Sequence, residues 1–194
     1  MDLLNIIAQA VGIVAMAFNI LSYQQKTQRQ VIAFQLFGSA LFAVNYLMLG
    51  AMVGGILNVI GIVRALVYLN KEKLRADRPV WLAGFTAAYL ISYVLTFTVF
   101  GKAPTIYNLY IEFLPVIGMT AITISFAMTD AKAIRRFGLI SSPSWLIYNI
   151  ASFSIGAIAC EVLTLGSILI GMLRLDRENG TGNEKDESGE ADLL

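Results

Sequence analysis

The chain has 194 residues, 57% of them hydrophobic and 14% charged, with a formal net charge of +1. Its mean hydropathy of +0.70 excludes an ordinary soluble domain, whose helices need charged outer faces that these segments cannot supply. The near-zero charge argues against nucleic acid as a partner, and with no histidine and a lone Cys160, neither an intrachain disulfide, a metal site nor a cofactor is expected.

Apolar runs recur at the length a bilayer core requires, about 20 residues at 1.5 Å rise each. Seven helices are predicted: 4–22, 31–49, 52–69, 80–100, 106–128, 137–153 and 155–175. The first differs from a secretory signal in its length and in having Asp2 where a basic residue belongs. The second, third and sixth are short and border Gly50, Gly54, Ser154 and Gly156, which predicts tight hairpins. From Asp176 to Leu194 the chain carries seven acidic residues against two basic ones, with interspersed glycines. That segment is expected to be a disordered tail, solvated or used for docking.

Thirteen of the fourteen lysines and arginines fall on one side of the plane these runs define. Lys26 and Arg29 lie between the first and second helices, Lys71, Lys73, Arg75 and Arg78 between the third and fourth, and Lys132, Arg135 and Arg136 between the fifth and sixth. Arg64 and Arg174 sit toward helix ends on that side, Arg177 and Lys185 follow in the tail, and Lys102 is opposite. The positive-inside rule then predicts an external N-terminus and a cytoplasmic C-terminus, which an odd number of spans connects.

A shift of 106 positions lays residues 11–69 on 117–175 without a gap and with nine identities, among them Gly12/Gly118, Lys26/Lys132, Arg29/Arg135 and Gly50/Gly156. Nine in 59 is weak in so apolar a chain, but hairpins, basic loops and helix ends all coincide. A shift of 103 pairs Phe42 with Trp145 and Asn58 with Glu161. Because a three-helix unit is odd, one spacer helix is needed to return the second copy to the orientation of the first. The expected fold is an all-α membrane protein of seven transmembrane helices, arranged as two parallel three-helix bundles joined by a linker helix. The bundles are 1–70 and 104–176, the loop and linker helix 71–103, and the tail 177–194. Parallel repeats are a transporter plan, with the site between them.

Glu161 lies inside the seventh helix, where a bare carboxylate is costly. It is expected to be protonated, paired or facing water, and is the candidate for proton coupling; a neutral acid bonded to Asn58 or a hydroxyl is the plainer alternative. Glu112 is placed near the outer end of the fifth helix, in reach of interfacial water, and Pro115 is a candidate hinge or a packing kink. In the sixth helix Ser141, Trp145, Tyr148, Asn149 and Ser152 share a broad face; Gln35, Gly38, Phe42 and Asn45 form its counterpart in the second. Aromatic rings beside amides and hydroxyls suit a polyhydroxylated or similar small molecule, although such stripes also serve plain helix packing. The candidate substrate-binding set is Phe42, Asn58, Ser141, Trp145, Asn149 and Glu161.

Leu114-Pro115-Val116-Ile117-Gly118, then Trp145-Leu146-Ile147-Tyr148-Asn149, then Ser154-Ile155-Gly156-Ala157 ahead of Glu161, resemble the YgjV-type bacterial inner membrane proteins. Leu49-Gly50-Ala51 followed by Leu57-Asn58 fits the same pattern, and the likeness runs from about residue 5 to 175. It implies location and fold more than activity. At greater distance the layout is similar to the SWEET sugar transporters and the wider PQ-loop group. That likeness implies a serine and tryptophan one turn apart (Ser141 and Trp145, with Gly38 and Phe42 as weaker equivalents) and an asparagine on the third helix of each unit (Asn58, with Glu161 in its partner's place). The Pro-Gln pair of that group is missing: Tyr23-Gln24-Gln25 and Met128-Thr129-Asp130 stand there instead. Loss of that hinge and the exchange of asparagine for glutamate set this chain apart from the sugar site and the rocking of one bundle on the other that the likeness implies.

The function expected is a small-molecule transporter of the bacterial inner membrane, for a sugar-like or other polar metabolite, working by alternating access. The alternative is a non-transporting sensor or assembly subunit that binds a protein partner. Enzymatic activity is not expected, since Glu112 and Glu161 lie on different helices without metal-ligand spacing. Lipid and a small substrate are the partners implied, and a homo-oligomer is open.

Overall fold

The computed structural model describes residues 3–48, 52–151 and 155–176; the hairpins expected at 49–51 and 152–154 and the acidic segment 177–194 lie outside the described residues. Within them the regular elements are helices: α1 (Leu3–Ser22), α2 (Gln28–Met48), α3 (Met52–Leu69), α4 (Lys71–Leu74), α5 (Pro79–Thr98), α6 (Ile106–Ala127), α7 (Ala131–Ala151) and α8 (Ile155–Gly171), followed by a π-helical turn at Met172–Asp176. Four stretches are long and apolar enough to cross a membrane: Gln28–Met48, Pro79–Thr98, Ile106–Ala127 and Ile158–Asp176. Ile6–Ser22 and Gly55–Leu69 are apolar but shorter. α7 is more polar, because its first turns hold Lys132, Arg135 and Arg136 and its middle holds Ser141, Ser142, Ser144 and Asn149.

Helix ends follow local chemistry. α5 opens with Pro79, whose missing N–H costs nothing in a first turn. The Thr105 hydroxyl caps α6 by accepting the Asn108 amide at 3.2 Å. α7 begins at Ala131, six residues ahead of the 137 expected from hydropathy. Asp130 Oδ1 accepts the Lys132 amide at 2.9 Å, and the lysine and arginines that follow are good helix formers. The edge of the apolar run and the edge of the helix are different boundaries.

Consecutive helices pack as neighbours, α1 on α2, α2 on α3, α6 on α7 and α7 on α8. α5 lies against α6 and α3, and further contacts join α1 to α8, α2 to α7 and α3 to α6. Of the four candidate spans, α6 is the most enclosed. Polarity is inverted relative to a water-soluble bundle. Large apolar side chains such as Ile13, Phe37, Val63, Ile91, Ile147 and Ile170 face outward, while Gln35, Asn45, Arg64, Thr123, Arg135 and Asn149 are buried. Hydrocarbon outside and hydrogen-bonded polar groups inside is the arrangement a bilayer favours.

Glu112 departs from the expectation of a carboxylate in interfacial water. It is buried in α6 and forms an ion pair with Lys102, the basic residue that stands apart from the others. The lysine is more exposed than its partner, so the two truncations are unequal. Lys102→Ala strands a buried carboxyl and should cost about 1–3 kcal/mol in thermal or denaturant unfolding, more than Glu112→Ala costs. Equal and negligible effects would return Glu112 to the solvated reading.

A polar cavity among six helices

α1, α2, α3, α6, α7 and α8 all contribute to a cavity of about 140 Å³; α5 lines no part of it. All six expected binding residues, Phe42, Asn58, Ser141, Trp145, Asn149 and Glu161, stand on its wall. They come from four helices and meet because each is a polar or amphipathic group on an otherwise apolar helix, with the bundle interior as its one alternative to lipid. Trp145 fits because Gly118 of α6 faces it. A Cβ at that glycine would lie 3.0 Å from Trp145 Cδ1, closer than ordinary contact. Among the other aromatic residues, Tyr107 is exposed, and Trp81 donates its indole N–H to Leu74 O at 3.1 Å.

The Glu161 carboxyl accepts the Ser142 hydroxyl at 2.6 Å, linking α8 to α7. A hydroxyl therefore fills the role that Asn58 or a hydroxyl was expected to fill. Ser142 was not singled out in the sequence, where it is one of several serines around Pro143. Arg64 was assigned there to the basic side of the membrane plane. It is also buried, 5% exposed, and its guanidinium reaches the cavity wall. Nη1 lies 3.3 Å from Met119 O, 3.4 Å from Tyr89 Oη and 3.5 Å from Thr123 Oγ1, and the charge sits 4.9 Å from the centre of the Phe126 ring. The available signal was spacing: Asn58, Gly61 and Arg64 follow one another at intervals of three along one helix face.

Side-chain contacts tie the helices together at the basic end of the bundle. Gln24 Nε2 donates to Ser167 O and Oγ at 2.6 and 2.9 Å, and the Ser167 hydroxyl donates to Ile20 O at 2.6 Å. Arg135 pairs with Asp176 and donates to Gln25 O at 3.1 Å. Far from being a loop charge, Arg135 is 1% exposed. Gln28 reaches Ser125 O and Phe126 O at 3.2 and 3.3 Å, while Lys71 donates to Ala127 O and Met128 O. These last four carbonyls have no acceptor role inside α6, and a cation beside them also suits the negative end of the helix dipole. Burial holds the Lys71 ammonium below the usual lysine range, and Asp77 partly offsets this.

A bundle with apolar outer faces, membrane-length helices and a polar cavity among them defines a helical membrane protein. The chain belongs to the family Imp-YgjV, described as bacterial inner membrane protein, whose model matches residues 6–179. No curated protein and no solved structure matches the chain.

Proposed function

We propose that this protein is a carrier for a small polar metabolite in the bacterial inner membrane, working by alternating access. The observation that supports it is the cavity itself. It holds charged and amide groups between α1–α3 and α6–α8, as a site between two repeats requires. In that reading the chain crosses the bilayer seven times as two three-helix units with α5 as spacer. The contacts suit such a duplication: exchanging the units turns the α1–α8 contact into the α6–α3 contact and returns α2–α7 to itself. The more distant SWEET likeness points the same way. The ties among the 24–28 turn, the end of α6, Arg135 and Asp176 would then close the cytoplasmic side, with the N-terminus external.

Reconstitution tests it. Substrate-dependent flux in proteoliposomes is expected, reduced about tenfold by Asn58→Ala or Trp145→Ala, the scale of one lost polar contact. An absence of flux with any polar metabolite, or flux indifferent to both substitutions, would overturn the carrier. Saturable binding without flux would favour the sensor instead.

A further inference from the structure

We propose that the cavity recognises a small zwitterion, its carboxylate held by Arg64 of α3 and its ammonium by Glu161 of α8. This deepens the reading of the cavity as a ligand site and does not require transport. A guanidinium stays charged under any condition a protein meets. Yet Arg64 is nearly fully buried, its Nη1 contacts are long and go to neutral groups, and its Nε is buried with no hydrogen-bond partner. Among the described residues no carboxylate pairs with it. Glu161 lines the same cavity from another helix, with the Ser142 hydroxyl as its donor, and its carboxyl forms no ion pair with Arg64.

A cavity that holds a guanidinium and a carboxyl apart is complementary to a molecule carrying the reverse pair of groups. A neutral polyol would leave the guanidinium uncompensated in a desolvated site, the costly outcome for a buried charge. A simple anion would answer Arg64 and not Glu161. Size narrows the class further. About 140 Å³ is close to the roughly 150 Å³ known to accommodate benzene, whereas a hexose has about twice benzene's non-hydrogen atoms. A short amino acid carries both groups within that volume. The rings of Phe42 and Trp145 would contact its carbon skeleton.

Binding to the purified protein, by calorimetry and thermal shift, tests this with alanine, its analogues alaninamide and propionate, and glucose. Alaninamide lacks the carboxylate and propionate the ammonium, so each should bind about ten- to a hundredfold more weakly than alanine, the worth of one charge-assisted contact. Arg64→Met should keep or raise the melting temperature, since a similar-sized apolar side chain replaces an uncompensated charge, yet lose alanine binding by the same factor. Arg64→Lys should retain part of it. Alaninamide or glucose binding as tightly as alanine, no alanine binding at all, or an Arg64→Met protein that binds alanine like the parent would each overturn the proposal. Alanine binding without flux would sink the carrier and leave this recognition intact. Flux of a neutral sugar, unaffected by Arg64→Met, would do the reverse.

Discussion

Arg135→Ala is expected to destabilise the protein by about 3–5 kcal/mol, the usual cost of removing one partner from a buried ion pair. Its guanidinium joins three segments far apart in the chain: α7, the turn after α1 through Gln25 O, and the π-helical turn through Asp176. Truncation leaves the mostly buried Asp176 carboxylate and the Gln25 carbonyl without this donor, and opens a void where the side chain lay. Asp176→Asn should cost less, because the amide oxygen still accepts. Denaturant unfolding in detergent reads both, and a double-mutant cycle isolates the pair. A change within 0.5 kcal/mol, roughly what a solvated surface charge gives, would show that the pair does not hold this end together.

Gly171→Ala should destabilise by about 1–3 kcal/mol, against helix propensity, which favours alanine by roughly 1 kcal/mol. The reason is contact with backbone. A Cβ at 171 would lie 2.5 Å from Tyr23 O and 3.1 Å from Arg135 Cδ. A peptide oxygen cannot rotate away as a side chain can, so the end of α8 would have to lift from the turn after α1. That movement would strain the Gln24–Ser167 and Arg135–Asp176 contacts together, and its effect should not add to that of Arg135→Ala. Gly84 and Gly166 supply the control, since a Cβ at either meets nothing within 4 Å. Alanine there should be neutral or stabilising by up to about 1 kcal/mol. If all three substitutions shift the melting temperature alike, the close approach at 171 carries no energetic weight.

Such contacts lie where sequence is least informative. Gln24 and Ser167 are 143 positions apart, and Arg64 and Met119 are 55 apart. Sorting basic residues by side of the membrane registers where a charge falls along the bilayer normal. It does not say whether the side chain turns outward to water or inward to a partner. Arg64 and Arg135 therefore counted as topological markers while the fold had buried both. Lys102 counted as the exception to a rule, and Glu112 as a wetted acid, although each is the other's partner.

What the amino-acid order determined by itself was the set of apolar helices, because hydropathy and length are local properties and a bilayer leaves few other conformations for such runs. It also marked Phe42, Asn58, Ser141, Trp145, Asn149 and Glu161, since polar and amphipathic groups in hydrocarbon-facing helices are costly unless turned inward. Tertiary structure decided which of those groups share a wall, that Ser142 rather than another hydroxyl meets Glu161, and that Arg64 joins them. Those outcomes depend on rotation and distance between helices far apart in the chain. Both are set by packing, and no local pattern encodes them.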